Sequence, residues 1–180
     1  MRKLLNEELG RLSADEFKEA EKTPLILVLD NIRSLNNIGS VFRTADAFRL
    51  EAVYLCGFTA TPPHREIHKT ALGATETVNW KHFDTTLEAL AELRQSGYKL
   101  AAAEQAENST LLHTLNWTEA SKWAVVFGNE VDGVEQEVVS FCDRVIEIPQ
   151  IGSKHSLNIS VSVGVVVWDF FKAFSLCSDH

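Results

Sequence analysis

Short apolar runs typical of buried strands alternate with segments of helical spacing along this chain of 180 residues. The strand-like runs are residues 25–29, 52–56, 76–80, 98–103, 123–127 and 144–148. Helical spacing of apolar residues marks segments 37–48, 65–72, 84–96, 134–141 and 156–174. This alternation predicts an α/β fold with a mostly parallel sheet and helices on both faces.

Polar and glycine-rich segments follow several of the strand-like runs. In open parallel sheets, ligands bind beyond the carboxyl ends of the strands. The segments in that position are residues 30–39, 104–109, 128–133 and 149–155. We therefore expect the functional residues to lie in these four segments.

The chain length and an apolar content of 45% fit one compact domain. Residues 2–20 have the spacing of a charged amphipathic helix, and Thr23-Pro24 breaks that pattern. We therefore predict a helical extension over residues 1–23, a single domain over residues 24–174 and a tail over residues 175–180.

A formal net charge of −8 weighs against a generally basic nucleic-acid-binding surface. Net charge is a sum, however, and the candidates for a local basic patch are Arg33, Arg43, Arg65, Lys69 and Lys154. Polar residues interrupt the longest apolar stretch, residues 161–174, and the first ten residues lack the apolar core of a secretory signal. These features predict a cytoplasmic protein without a membrane span.

Neither the cysteines nor the histidines have the spacing of a metal or disulfide site. The three cysteines lack a C-x-x-C pair, and Cys56 and Cys142 have the setting of small buried hydrophobic residues. His64 and His68 lack the glutamate of an H-E-x-x-H zinc motif, so we expect no metal. His155-Ser156 lacks a G-x-S-x-G elbow, which argues against hydrolase chemistry.

The last helical segment is apolar on nearly all sides, so several of its faces must be buried. One stripe is formed by Leu157, Val161, Val165, Trp168 and Phe171. The pattern is consistent with a homodimer interface, since two-fold dimers are the commonest oligomers. A central core helix within one chain is the alternative.

Three segments combine a helix or strand end with polar residues. Residues 36–45 (NNIGSVFRTA) place asparagines at a helix start and Arg43 under two turns later. Residues 127–133 (FGNEVDG) follow a strand directly, and residues 148–162 (IPQIGSKHSLNISVS) join a strand to the last helix. A capped helix or a glycine turn accounts for each segment taken separately.

Together these segments resemble the three signature motifs of the SpoU/TrmH family of RNA methyltransferases. They are similar to the family's N-N-x-G-x-x-x-R-T-A, F-G-x-E-x-x-G and I-P-x-x-G-x-x-x-S-L-N-x-S-V, in the same order, and the resemblance covers residues 24–174. Gln150, Ser162 and Arg49 depart from the residues that are usual in the family. The resemblance implies a trefoil-knotted SPOUT fold, a homodimer, S-adenosylmethionine as cofactor and RNA as partner.

The resemblance also implies roles for individual residues. Catalytic roles fall to Arg43, Asn37, Glu130, Ser156 and Asn158. Cofactor binding falls to Ala103, Glu104, Gly128, Asn129, Ile148, Gln150, Ser156 and Leu157. Contacts with the RNA fall to Arg33, Arg43 and Lys154.

The implied reaction is methylation of a ribose 2′-hydroxyl in structured RNA. Because the N-terminal helical extension is short, we slightly favour transfer RNA over ribosomal RNA as the substrate. We expect His113 and an exposed Trp117 to fill a surface groove, with stacking on RNA bases as the alternative. A non-catalytic RNA-binding protein on the same scaffold is the alternative.

Overall fold

The computed structural model describes the backbone of residues 1–153 and 156–178, and their side chains except those of residues 6 and 176–178. Seven strands form one sheet in the order β3-β2-β1-β6-β4-β7-β5. They are β1 (Thr23–Asp30), β2 (Leu50–Cys56), β3 (Trp80–Phe83), β4 (Lys99–Ala103), β5 (Thr110–Leu111), β6 (Trp123–Phe127) and β7 (Arg144–Glu147). Every pair of neighbouring strands is parallel, which confirms the predicted α/β sheet.

Helices cover both faces of this sheet. They are α1 (Ala14–Glu19), α2 (Leu35–Ala47), α3 (Arg65–Ala71), α4 (Ala74–Thr77), α5 (Thr86–Gln95), α6 (Gln136–Phe141) and α7 (Ile159–Ser178). Alternate residues of β1 point to opposite faces, since Leu27 packs in the core under α2 and α7 whereas Val28 packs under α5 and α6. Both residues are fully buried, as expected for a parallel strand that is covered on both sides.

The prediction of one continuous helix over residues 2–20 is wrong. A short 3₁₀ turn (Asn6–Leu9) is followed by Gly10 in the left-handed region at φ 57°, and α1 begins only at Ala14. Ser13 caps α1, because its hydroxyl accepts from the Glu16 amide while the Glu16 carboxylate accepts from the Ser13 amide. The glycine ends one turn and this capping box starts a separate helix.

The strand predicted over residues 76–80 is also displaced. Its first two residues end α4, and β3 begins at Trp80. Thr77 donates a 2.5 Å hydrogen bond to Asp46 Oδ2, which holds this helical turn against α2. Tertiary contact therefore outweighs the strand propensity of this segment.

Trp117 does not lie in a surface groove. Its side chain is 4% exposed and its indole N–H donates to Asp169 Oδ2 at 2.9 Å. The ring also packs edge-on against Trp123 and Phe170. Trp117 belongs to the core beneath α7, and a stacking role for this residue is excluded.

The strand order places the carboxyl ends of three strands next to one another. β6 lies between β1 and β4, and β7 follows β4 on the other side. The loops after β4, β6 and β7 therefore meet at one edge of the sheet, beside the start of α7. Within the described ranges 1–153 and 156–178, no helix has the length and apolarity needed to cross a bilayer.

Candidate active site

A cleft of about 600 Å³ opens at the carboxyl ends of β4, β6 and β7 and is closed on one side by the start of α7. All eight residues that the sequence predicts for cofactor binding line it: Ala103, Glu104, Gly128, Asn129, Ile148, Gln150, Ser156 and Leu157. Phe127 and Ile146, which the motifs did not single out as ligands, supply further apolar wall. These eight residues come from four segments that are separate in the sequence, and the fold brings them together at one cleft.

The loop after β6 is a tight turn built on close backbone contacts. A Cβ atom at Gly128 would collide with the backbone of Gly133 and Val134, so only glycine fits. Gly133 lies in the left-handed region at φ 69°. The loop after β6 is therefore a compact turn at the wall of the cleft.

Asn129 stabilises this loop from within. Its Oδ1 accepts from the backbone N–H groups of Val131 at 3.0 Å and Asp132 at 2.9 Å, and the residue is 8% exposed. The side chain amide oxygen is therefore engaged in the turn, and Asn129 contributes to the cleft mainly as wall.

Glu104 joins the loop after β4 to the loop after β6. Its Oε2 accepts from the Val134 amide at 3.0 Å, and its Oε1 accepts from the Gln105 amide at 2.9 Å. The carboxylate is half-buried at the cleft wall, where it also fills the space beside Gly133.

Asn37 connects the other two motif segments. Its Nδ2 donates a 2.6 Å hydrogen bond to Glu130 Oε1, and its Oδ1 accepts from Asn158 Nδ2 at 3.2 Å. Asn158 also caps the start of α7, because its Oδ1 accepts from the Ser160 amide and hydroxyl at 2.9 and 2.7 Å. Asn37, Glu130 and Asn158, three of the predicted catalytic residues, thus form one hydrogen-bonded chain. Glu130 lies 93 positions and Asn158 lies 121 positions after Asn37 in the sequence.

Arg43 does not join this chain. It is exposed on α2 and is absent from the lining of the cleft. Six residues after Asn37, a helical side chain is rotated by roughly 120° from it. Among the described residues, the Arg43 side chain has no hydrogen bond or ion pair.

The other predicted RNA contacts and catalytic residues differ in their settings. Ser156 is exposed at the rim of the cleft. The exposed Arg33 guanidinium lies 5.5 Å from the centroid of the Phe58 ring. Lys154 lies outside the described residues.

Asp30 is a buried polar residue that the motifs did not reveal. It is 1% exposed at the end of β1, and its Oδ1 accepts from the Thr86 hydroxyl at 2.5 Å. Its Oδ2 accepts from the Glu135 amide at 3.3 Å, just before α6. The only sequence signal was a carboxylate directly after a strongly apolar strand.

Cys56 and Cys142 take no part in the site. Cys56 is fully buried and Cys142 is half-buried, and burial raises the pKa of each thiol to about 12. Both thiols therefore stay protonated near neutral pH and are poor nucleophiles. Among the residues that the structure describes, no three His, Cys, Asp or Glu side chains are grouped to hold a metal ion.

Comparison with known proteins gives one family. The model of the SpoU rRNA methylase family matches residues 24–168. The 23S rRNA (guanosine-2'-O-)-methyltransferase RlmB of Neisseria meningitidis serogroup B is 33% identical over 153 residues, which cover 85% of this chain and 60% of that protein. The tRNA (guanosine(18)-2'-O)-methyltransferase of Aquifex aeolicus is 28% identical over 167 residues, covering 92% of this chain and 76% of that protein.

Solved structures agree on the fold. The A. aeolicus TrmH/SpoU tRNA modifying enzyme superposes with a TM-score of 0.78 at 25% identity, covering 90% of this chain and 80% of that chain. The AdoMet-bound rRNA methyltransferase from Sinorhizobium meliloti gives a TM-score of 0.77 at 24% identity, covering 87% of this chain and 59% of that chain. This chain spans about three fifths of the length of RlmB from N. meningitidis.

Proposed function

Since the chain belongs to the SpoU rRNA methylase family, we propose that it transfers the methyl group of S-adenosylmethionine to a ribose 2′-hydroxyl of a structured RNA. One observation carries the proposal: the second and third motif segments, distant in sequence, line a single cleft, and Asn37 of the first segment is hydrogen-bonded to Glu130 and Asn158 of the other two. The names of the relatives, which are ribose 2'-O-methyltransferases of ribosomal or transfer RNA, support the reaction class.

The cleft suits S-adenosylmethionine in size and chemistry. Its volume of about 600 Å³ falls in the range of roughly 300–1,000 Å³ found for cofactor-sized ligands. Phe127, Ile146 and Ile148 offer an apolar slot for an adenine ring. The Glu104 carboxylate adds acceptors at the wall, which suits a cofactor that carries hydroxyl and ammonium donors.

When bound, the cofactor would supply an electrophilic methyl group on a sulfonium. The protein must then hold the ribose oxygen in line with that methyl group, and such positioning lowers the barrier by several kcal/mol. Asn37 is suited to orient the ribose or the arginine, because Glu130 and Asn158 hold its side chain amide from both sides. Ser156 adds a hydroxyl at the rim.

Arg43 has the electrostatic role in this proposal. A guanidinium keeps its proton up to a pKa above about 12, so it is a poor general base at neutral pH. It is well suited to bind a neighbouring phosphate and to stabilise negative charge that develops on the 2′-oxygen, a type of interaction that is often the largest single contribution to catalysis.

Arg43 can act in methyl transfer only if its guanidinium faces a cleft that holds S-adenosylmethionine. We propose that it faces the cleft of a second copy in a homodimer. The support is the apolar stripe of α7, where Val161 is 50% exposed and Trp168 57% exposed. Trp168 packs edge-on against Phe48, which follows α2, the helix that carries Arg43. Burial of this stripe by a symmetric copy would bring the two Arg43-bearing helices to the interface.

Three further points stay proposals. The division into residues 1–23, 24–174 and 175–180 is supported by the family match, which begins at residue 24. The trefoil knot is supported by the likeness to solved SpoU structures, and tracing the chain in a crystal structure would test it. The cytoplasmic location is tested by fractionation of cells.

The preference for transfer RNA has no support from the relatives. RlmB enzymes from three organisms, all named for 23S rRNA, are 29–33% identical to this chain, whereas the transfer-RNA enzyme is 28% identical. We therefore take ribosomal RNA as the first substrate to test, with transfer RNA beside it.

The test is transfer of tritium from methyl-labelled S-adenosylmethionine to ribosomal or transfer RNA from cells that lack this protein. Digestion to nucleosides should recover the label in 2′-O-methylnucleosides. RNA binding without any label in RNA would instead identify a non-catalytic RNA-binding protein on this scaffold, and label in base methyl groups would refute the proposed acceptor.

A further inference from the structure

The aromatic side chain of Phe58 is exposed to solvent at the edge of the sheet that carries the cleft. It lies two residues after the end of β2, and 58% of its surface is exposed. The Arg33 guanidinium, three residues after the end of β1, lies 5.5 Å from the ring centroid. Both side chains therefore stand at the carboxyl ends of parallel strands, the same edge that carries the cleft.

The backbone under Phe58 is fixed by hydrogen bonds. The Phe58 amide donates to Asn31 Oδ1 at 3.2 Å. The next residue, Thr59, is 2% exposed, and its hydroxyl donates to Leu29 O at 3.1 Å and accepts from the Ile32 amide at 2.9 Å. A large apolar ring is thus presented on a rigid support, which lowers the entropy lost when a ligand binds.

This loop also touches the elements that frame the cleft. Asn31, which anchors Phe58, donates from Nδ2 to Glu135 Oε1 at 3.1 Å, and Glu135 immediately precedes α6. The exposed His82 lies beside the loop, with its Nε2 donating to Gly57 O at 3.0 Å. Phe58 and the loop after β6 are therefore connected through Asn31.

The charge distribution favours a ligand that combines an anion with a flat ring. Arg33 makes no ion pair with any carboxylate in the described part of the chain. A net charge of −8 weakens long-range attraction of a phosphate backbone. Stacking on aromatic rings and on arginine does not depend on net charge, and proteins use it to hold unpaired bases.

We propose that Phe58 and Arg33 form a stacking subsite for an unpaired nucleobase of the RNA substrate, with Arg33 also binding a phosphate next to that base. This proposal rests on the proposed function for the identity of the partner. It adds a substrate-binding element outside the three motif segments, on residues that do not line the cleft.

The test compares Phe58→Ala, Phe58→Leu and Phe58→Trp with the original protein. Filter retention of labelled ribosomal RNA measures RNA binding, and tritium transfer to the same RNA measures its KM. We expect Phe58→Ala and Phe58→Leu to weaken RNA binding and to raise the KM for RNA roughly 5- to 100-fold. Phe58→Trp, which keeps an aromatic ring, should leave RNA binding and the KM near those of the original protein. Arg33→Ala should weaken binding and also reduce its salt dependence.

The matched control is Leu5→Ala, which removes a side chain of similar exposure, 64%, far from the site in sequence. It should leave RNA binding unchanged, and no Phe58 variant should change the Kd of S-adenosylmethionine in calorimetry. Unchanged RNA binding by Phe58→Ala overturns the subsite. A Phe58→Ala protein that sediments as a smaller species also overturns it, since the ring would then be a contact between copies.

The two proposals fail in different ways. If the original protein retains RNA but transfers no methyl group, the proposed function fails, while filter retention still tests the subsite. If methyl transfer is normal in Phe58→Ala, the function stands and the subsite fails.

Discussion

The amide of Asn37 donates a 2.6 Å hydrogen bond to the carboxylate of Glu130, joining α2 to the loop after β6. Asn37 then accepts from Asn158 at the start of α7. One side chain amide therefore links the three motif segments. Its orientation is set by its partners, since only its nitrogen can donate to a carboxylate.

Replacing Asn37 should impair methyl transfer more than it impairs folding. Asn37→Ala removes a charge-assisted hydrogen bond that is partly exposed to solvent, and a loss of about tenfold in kcat/KM corresponds to roughly 1.4 kcal/mol. Asn37→Asp should be worse, because it sets a second carboxylate against Glu130. The neighbouring exposed Asn36, with no hydrogen bond from its side chain within the described residues, provides the control Asn36→Ala. Equal activities of the Asn36 and Asn37 variants would contradict this role.

Gly128→Ala should strongly weaken cofactor binding. The added Cβ would strike the backbone of Gly133 and Val134, so the loop after β6 must move away from the cleft. Isothermal calorimetry with S-adenosylmethionine should show at least a tenfold rise in Kd. Gly152→Ala, where a Cβ meets no atom within 4 Å among the described residues, is the control for stability. A Gly128→Ala protein that binds the cofactor normally would show that the loop is not the cofactor wall.

Asp30→Ala should lower the free energy of unfolding by roughly 2–4 kcal/mol, because it leaves the Thr86 hydroxyl and the Glu135 amide without their acceptor. Urea denaturation followed by circular dichroism measures this loss. The exposed Asp84, near the start of α5, supplies the control Asp84→Ala, for which a change within about 0.5 kcal/mol is expected. Equal losses in the two variants would contradict a structural role for Asp30.

Several elements could be predicted because their signals are local. Helical spacing over residues 84–96 predicted α5, and in the structure this helix is capped by Thr85 and is followed by Gly97 at a positive φ of 82°. The buried run at residues 25–29 predicted β1, since a strand covered on both sides is apolar throughout. Three of the segments predicted from their place after strands, residues 104–109, 128–133 and 149–155, contribute to the lining of the cleft.

Other features depend on tertiary contacts that a sequence pattern does not contain. The hydrogen bond between Thr77 and Asp46 turns a strand-like run into α4. The bonds of Asp30 join residues more than fifty positions apart, so neither partner marks the other. The prediction of a surface position for Trp117 was wrong, because no local sequence pattern indicates that an indole is buried with its N–H hydrogen-bonded.

A heterodimer separates a site within one protomer from a site shared between two. One copy carries Arg43→Ala and the other Gly128→Ala, and two affinity tags isolate the mixed species. If Arg43 serves the partner's cleft, the mixed dimer retains one intact site and about half of the normal activity. If Arg43 serves its own cleft, the mixed dimer is inactive. Adding Trp168→Glu to both copies should remove the activity, since it places a charge in the exposed apolar stripe of α7.

The most direct measurement is tritium transfer to RNA by the Arg43→Ala protein, with the Kd of S-adenosylmethionine measured on the same sample. We predict a loss of about 100-fold or more in methyl transfer with an unchanged Kd, because the guanidinium stabilises charge that develops only during the reaction. Near-normal transfer by Arg43→Ala would contradict the proposed active site.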